Sequence, residues 1–384
     1  MTDENPPNPA LLPAGLRDLL PPDAETEAAS VEAVMQVFAL HGYQRVKPPL
    51  LEFEDGLLSG SGAAMADQVF RLMDPDTHRM MAMRADITPQ VARIATTRMA
   101  HAPRPLRLSY AGQCLRSRGA SLNPDRQVAQ AGIELIGPDS AQADAEIIAV
   151  GAEALASLGL THISFDLTMP TLVPALLDAA GVAPQVQRHL ARALDRKDAA
   201  EVTTHGGALA ATLTALLLSA GPADRSLAAL DAAALPPEVR KLADRLAATV
   251  AAIRALVPGL KLTVDPVEFR GLRYHTGVCS TIYATGRHEE LGRGGRYLCG
   301  EGEPATGLTL YPDAVLRAAP ARVTRPRVFV PAMPGAPLDA PAIRAQGYAT
   351  VAGFDPDADP DSEAARLGCT HVLTEGGLRA LAAE

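Results

Sequence analysis

From Pro170 to about Val257 the chain consists almost wholly of Ala- and Leu-rich segments with little strand character, and β-rich stretches flank it on both sides. That contrast constrains the fold more than any other feature. The motifs Asp178-Ala-Ala-Gly, Ser219-Ala-Gly-Pro and Leu235-Pro-Pro cut the segment into several helices, because Gly and Pro punctuate regular structure. It therefore reads as a helical insertion, 170–257, within a core that holds the strands. Before it, Ala28, Val31, Val34, Met35, Phe38 and Ala39 recur at helical spacing, which predicts a helix over 23–41 ended by Gly42. Tyr43–Leu51 has β character, 68–73 and 79–83 read as two strands joined by a turn, and 88–100 reads as a helix with Pro in its first turn. Strands are expected at 106–115 and 127–135, a helix at 141–159 and a strand at 162–168. After the insertion, 260–265 and 276–283 read as strands. The glycines of 292–297 read as a tight β connection rather than a nucleotide loop, because the strand–helix context of such a loop is missing. The last segment alternates strand and helix signals, as a small α/β unit of about two βα repeats would.

The expected organisation is a polar tail over 1–13, a core over 14–320, a linker near 321–326 and a small C-terminal unit over 326–384. At about 100–200 residues per domain, a chain of 384 residues accommodates this. The net charge of −9 and an aromatic content of 4% argue against broad nucleic-acid binding, which needs basic faces and stacking platforms. Four cysteines lie far apart with no C-x-x-C pair, so free thiols in a reducing compartment are expected, without a zinc site or disulfide framework. No H-x-x-x-H pair occurs, and no metal or cofactor is expected. No apolar run is long enough for a membrane helix and the N-terminus lacks a signal-peptide pattern, so a cytoplasmic chain is expected.

Three polar clusters fall within segments that otherwise look buried. In 84–93, Asp86 or Thr88 can cap the following helix, and Asp86 could equally face an amine. On a strand, Arg126, Val128, Gln130, Gly132 and Glu134 share one face by the period of two. Either that face meets solvent, or it lines a polar ligand pocket in which Gly132 leaves the ligand room. In 270–277, Arg270, Tyr274 and His275 crowd beside a β run that could read a carboxylate or phosphate, or form an ordinary hairpin. His275 is the only histidine within such a cluster, and the other eight are expected at the surface or satisfied. Residue spacing alone supports a cytosolic α+β protein with a polar small-ligand pocket.

In order along the chain, these segments resemble the catalytic core of histidyl-tRNA synthetases. The resemblance rests on Gly15-Leu-Arg-Asp-Leu-Leu-Pro21, Pro49-Leu-Leu-Glu52, Met83-Arg-Ala-Asp-Ile-Thr-Pro-Gln90, the segment 112–134, Arg270-Gly-Leu-Arg-Tyr-His-Thr-Gly277 and Gly294-Gly-Arg-Tyr297. It covers about 14–318. It implies a class II aminoacyl-tRNA synthetase-like antiparallel sheet flanked by helices, an α+β fold. It also implies a histidine pocket. Asp86 would take the amino-group role, with Thr88 and Gln130 beside it. Glu134 would hold an imidazole nitrogen, Arg116 would reach the carboxylate, Arg270 would fill the position of the family's second arginine, and Tyr274 and His275 that of its tyrosine pair.

Departures from the family pattern point away from aminoacylation. Arg118 stands where the family has the adenine-reading Glu. In 307–316, Asp313 is followed by Ala314 where the family has an ATP-gripping Arg, and Pro312 is expected to interrupt the helix start. Phosphate grip depends on charge-assisted bonds, so ATP use should be crippled. The C-terminal unit is also shorter than the usual anticodon-binding domain. A pocket that keeps histidine and loses ATP is similar to the family of regulatory subunits of ATP phosphoribosyltransferase. That resemblance implies a non-catalytic chain that binds L-histidine. Its partner would be a short catalytic subunit, joined as a homodimer core within a hetero-oligomer, with no nucleic acid or membrane partner. The rival readings are a divergent active synthetase and a synthetase-like protein serving another ligase or an RNA-linked process.

Overall fold

The computed structural model describes residues 10–119, 124–268, 274–320, 325–332 and 339–381, with Ser61 described for its backbone alone. Two compact units divide at 320/321. Along the first unit, α1 (Asp23–Leu40) buries Val34, Met35, Val37 and Phe38, and Gly42 follows with φ +82°. Such a positive φ favours glycine and ends the helix where expected. The segment read as a strand over Tyr43–Leu51 forms only the short β1 (Gln44–Arg45) and β2 (Leu51–Phe53), because Pro48 and Pro49 between them cannot donate to a ladder. The short helix α2 (Glu54–Leu57) leads into a 3-10 segment, Gly60–Gln68. The strands β3 (Arg71–Met73) and β4 (Met80–Met83) then pair across the expected turn, where Asp74 accepts a bond from the Thr77 hydroxyl. Helix α3 (Thr88–Thr96) follows, with Pro89 in its first turn.

The strands β5 (Leu106–Leu115) and β6 (Gln127–Ile136) pair along their whole length, Leu106 opposite Ile136 and Leu115 opposite Gln127. Ser140 caps α4 (Ala141–Ala156) by accepting the Ala143 N–H at 3.2 Å. Strand β7 is Ile163–Thr168. The 170–257 stretch contains α5 (Leu172–Ala179), α6 (Pro184–Asp195), α7 (Ala199–His205), α8 (Ala210–Ser219), β8 (Gly221–Pro222), α9 (Ala223–Ala232) and α10 (Pro237–Leu256). Next come β9 (Lys261–Asp265), β10 (His275–Ala284), β11 (Glu290–Cys299), β12 (Glu303–Leu310) and α11 (Pro312–Ala318). Pro312 does not interrupt this helix. It occupies the first turn, where a missing N–H leaves no intrahelical bond unmade. The 292–297 segment is no turn either: it forms the middle of β11.

The main sheet runs β1-β5-β6-β12-β11-β10-β7-β9-β8, antiparallel except for the β1–β5 and β7–β9 pairs, and β2-β4-β3 form a smaller sheet. Cross-strand register gives the main sheet two unlike faces. One face holds Ala131, Ile133, Leu135, Phe165 and Leu308 against α1, α4 and the helices of 170–257, in one continuous apolar core. The α4 helix lies so close that a Cβ on Gly151 would stand 2.1 Å from Leu308. The opposite face packs Ile87, Val91 and Ala95 of the α3 region over Leu108, Tyr110 and Tyr297. Among the described residues, no helix is long and apolar enough to cross a membrane.

The second unit is a four-stranded sheet, β14-β13-β15-β16, made of Ala349–Ala352, Arg327–Val330, His371–Thr374 and Gly377–Ala380, with only the last pairing antiparallel. Its helices α12 (Ala340–Ala345) and α13 (Pro360–Arg366) are capped by Asp339 and Asp359 and bury Ile343 and Ala364.

On the apolar side of the main sheet sits a buried ion pair. Asp144 accepts Arg296 at 2.7 Å and Arg245 at 3.0 Å, with the first two side chains almost fully buried. Leaving one charge of a buried pair uncompensated costs about 3–5 kcal/mol, and the exposed Asp139, 3.3 Å from Arg296, compensates in part, which sets the loss at the low end of that range. Asp144→Ala should lower the unfolding free energy by that amount in urea titrations. An unchanged midpoint would show that the pair contributes nothing net.

Candidate functional site

The site lies on the α3 side of the main sheet, and glycines shape it. In cross-strand register, Leu108, Glu134, Gly307, Gly295 and Cys279 form one row, and Tyr110, Gly132, Thr309 and Arg293 the next. Side chains directly opposite on antiparallel strands share a face. A Cβ on Gly307 would stand 1.9 Å from Glu134 Oε2, so the carboxyl group lies across a strand that cannot carry a side chain there. A Cβ on Gly295 would meet His275 at 2.6 Å. Close approach of side chains to backbone is thus why 292–297 is Gly-rich inside a strand. Gly132 makes room in a different way from the one expected. Its missing Cβ would stand 2.4 Å from the Tyr110 hydroxyl, so it clears space for that ring and not for a ligand.

Glu134 is 1% exposed, which excludes a solvent-facing strand for this part of β6. Tyr297 donates to its Oε2 at 2.8 Å, and the Tyr110 hydroxyl stands 3.4 Å from its Oε1. Tyr110 also meets Thr309 at 2.7 Å and Thr88 at 3.1 Å. Burial pushes the Glu134 carboxyl up to about 8, although the bond from Tyr297 pulls it down. Neither neutral tyrosines nor a threonine can replace the hydration a carboxylate loses in such a place.

Asp86 approaches from the loop before α3, which a buried arginine holds. Arg84 donates to the Gln113 carbonyl at 2.8 Å and to the Pro48 carbonyl at 3.1 Å, and Leu115 N–H bonds back to Arg84 at 3.0 Å. Gln130, 2% exposed, accepts the Ile87 N–H at 3.0 Å, which fixes the loop over β6. Asp86 Oδ1 then accepts the Thr88 N–H at 3.0 Å and closes a turn just before α3, whose N-cap is Ile87 without a side-chain bond, so neither Asp86 nor Thr88 caps the helix as the sequence allows. Asp86 is only partly exposed, in a recess walled by Leu57, Leu58, Met65, Val69, Ala85 and Pro89. Desolvation raises its pKa, while the Thr88 N–H and the nearby Arg116 charge oppose the rise.

The field of Asp86 reaches Glu134, Tyr274 and Tyr311, and that of Arg116 reaches Asp86 and Tyr311. Burial pushes the Tyr311 hydroxyl up to about 12, with Arg293 and Arg116 holding it down. Thr88 and Glu134 share Tyr110 and Tyr274 meets Tyr297 edge to face with centroids 6.1 Å apart, while Asp86 feels the Gln130 amide and the Arg116 charge. His275 stacks on Tyr274 with ring centroids 4.2 Å apart and lies over Gly295. Arg270 lies outside the described residues. Arg116 Nε is buried and, among the described residues, has no hydrogen-bond partner. Tyr110, Tyr297, Thr309 and Tyr311 escaped the sequence reading as site residues. Only the Gly294-Gly-Arg-Tyr297 block hinted at one of them.

Two positions depart from the synthetase pattern. Arg118 is exposed, and Ala314 is buried with 3% exposure, without charge. Its neighbour Asp313 accepts the Ala129 N–H at 3.1 Å and stands 3.6 Å from Arg17. The N-terminal block is tied in at the same place, where Gly15 accepts the Arg126 N–H at 2.7 Å.

Residues 15–315 match the family model described as Histidyl-tRNA synthetase. Over 379 residues the chain is 55% identical to the ATP phosphoribosyltransferase regulatory subunit of Gluconobacter oxydans (strain 621H), covering 98% of each. Over 372 residues it is 56% identical to that of Paramagnetospirillum magneticum (strain ATCC 700264 / AMB-1), covering 97% of this chain and 98% of the relative. A solved structure, an ATP phosphoribosyltransferase regulatory subunit/histidyl-tRNA synthetase from Bacillus halodurans C, superposes with a TM-score of 0.79. It does so at 23% identity over 94% of this chain and 97% of that one. At that identity the likeness shows the fold, a class II histidyl-tRNA synthetase-like sheet with flanking helices.

The charge state of Glu134 is open to measurement. Its folded-state pKa, about 8, lies above its ordinary 4.5. Across that window the folded chain holds a proton that the unfolded chain releases. Its contribution to stability is therefore complete below the ordinary carboxyl range and is lost as pH rises through about 8. Each pKa unit corresponds to about 1.4 kcal/mol. Glu134→Gln removes this dependence, so the variant should gain on the wild type by up to a few kcal/mol between pH 5 and pH 9 in urea unfolding. A difference that stays constant over that range would mean that Glu134 is ionised throughout.

Proposed function

The chain belongs to the family of ATP phosphoribosyltransferase regulatory subunits, which share the histidyl-tRNA synthetase core, and from that membership we propose that it is a non-catalytic histidine sensor. In this reading it activates a short catalytic subunit of ATP phosphoribosyltransferase, at the first step of histidine biosynthesis, and L-histidine reverses the activation. One observation carries the ligand assignment. The charge of Arg116, whose buried Nε has no partner among the described residues, acts on Asp86, and that of Asp86 acts on Glu134. A carboxylate, a guanidinium donor and a proton-holding carboxyl match the three polar ends of one amino acid. Asp86 would take the α-ammonium group, Arg116 the carboxylate and Glu134 an imidazole nitrogen. Thr88 and Gln130 would hold Asp86 and the loop in place, and Arg270, Tyr274 and His275 would complete the pocket.

Two features support a lost ligase chemistry. Arg118 cannot accept a bond from an adenine amino group, and Ala314 offers no charge to a phosphate. The assembly proposed is a homodimer core within a hetero-oligomer. Met73 and Met80, opposed in register on the small sheet and both exposed, support an apolar contact there.

Calorimetry should detect histidine binding to the isolated chain. Hydrogen bonds to charged groups contribute about 1.5–3 kcal/mol, so Glu134→Ala should weaken binding by roughly tenfold or more. No binding by the wild type at millimolar histidine would overturn the pocket assignment. Histidine-dependent exchange of pyrophosphate into ATP should be absent, and its presence would instead mark an active synthetase.

In a complex reconstituted with the short catalytic subunit, this chain should raise activity and histidine should reverse the gain. A ligand shifts such a complex only through different affinities for its states, and typical couplings of about 1–3 kcal/mol alter affinity by roughly 5–150-fold. Histidine inhibition that survives Glu134→Ala undiminished would place the inhibitory site on the partner.

A further inference from the structure

A second ligand-competent cluster lies far along the chain from the site above, on the α6–α7 hairpin. His189 Nε2 stands 2.7 Å from Glu201 Oε2, and His205 Nε2 stands 3.4 Å from the same oxygen. The two imidazole rings meet edge to face with centroids 4.3 Å apart. All three ligand atoms lie within 4.8 Å of one another, the one such His/Cys/Asp/Glu group among the described residues. Donors bound at about 2.0–2.1 Å to a tetrahedral ion are separated by about 3.4 Å. The cluster therefore needs only side-chain adjustment to close around one ion.

The backbone beneath it is held firmly. Leu190 and Val202, next in sequence to two of the three residues, are fully buried. Asp198 caps α7 by accepting the Glu201 N–H at 3.0 Å. Lys197, at the turn, has φ +56° and is ion-paired to Asp265 of β9. Glu201 and His205 are spaced i, i+4, so both project from one side of α7, toward His189 on α6.

We propose that His189, Glu201 and His205 form a binding site for a divalent transition ion of the zinc class, with one coordination position left to water. Two imidazole nitrogens and one carboxylate oxygen are a donor set that such ions accept and that Mg²⁺ and Ca²⁺, which prefer all-oxygen shells, do not. Each imidazole would carry its proton on Nδ1 and present Nε2 to the ion. A bound ion would clip the hairpin, and because it binds only the folded arrangement it would raise the melting temperature. The inference is independent of the histidine pocket.

The test is a Co²⁺ titration of the metal-stripped full-length chain, followed by Zn²⁺ competition. One Co²⁺ per chain should bind with visible ligand-field absorption, which Zn²⁺ should abolish, and Zn²⁺ should raise the melting temperature. His189→Ala and the isosteric Glu201→Gln should each weaken binding at least about tenfold, the lower bound seen even for indirect partners of metal ligands. All three residues lie at the surface, so the metal-free variants should melt as the wild type does. The proposal is overturned if no such absorption appears, or if both variants bind Co²⁺ as the wild type does.

Discussion

Everything on the α3 side of the sheet is arranged around a carboxyl group held out of water. Glu134 projects from the C-terminal part of a ten-residue strand, and the strand beside it carries a glycine at the opposed position, so the group lies flat across the backbone. A buried carboxyl without a cation is costly unless it is hydrogen-bonded or neutral. Both remedies are present: the Tyr297 hydroxyl donates to it, and its proton affinity is raised. Tyr110 and Thr309 then need partners of their own and find them in each other and in Thr88. The polar network thus extends to the first turn of α3, where Asp86 enters.

The features readable from sequence were those with a short period. Alternation placed Gln130 and Glu134 on one face of β6, and the helices before and after the β5–β6 pair were visible from their apolar spacing. Pairing register is not written in any one strand. For that reason Tyr110, Thr309 and Tyr311, which reach the site from other parts of the fold, could not be assigned to it. Glycine was ambiguous for a related reason. Within 292–297 it could mark a turn or a close approach, and only the side chains of His275 and Leu308 lying over Gly295 and Gly294 decide between them. Pro312 was misread because the same residue that breaks a helix interior is welcome in its first turn.

The site and the proposed ion cluster differ in how their residues come together. Glu134 and Tyr297 are brought together by a sheet whose strands lie far apart in sequence, and the loop that carries Asp86 is fixed over it through Ile87 and Gln130. The ion cluster depends on two short neighbouring helices and one tight turn. Its signature in sequence is only a Glu and a His four apart, with the third ligand twelve residues before that Glu. A search for two histidines on one helix overlooks such a pattern.

Arg296 and Tyr297 are successive residues of β11 that point to opposite sides of the sheet. Tyr297 holds Glu134 in the site, whereas Arg296 is clamped by Asp144 in the first turn of α4. At this point the sheet acts as a diaphragm one peptide unit thick. The β11 backbone at 296–297 therefore carries both contacts, one to the site and one to the start of a helix on the far side. From the Glu134 carboxyl to the first turn of α4, the link consists of two hydrogen-bonded side chains on adjacent residues of one strand.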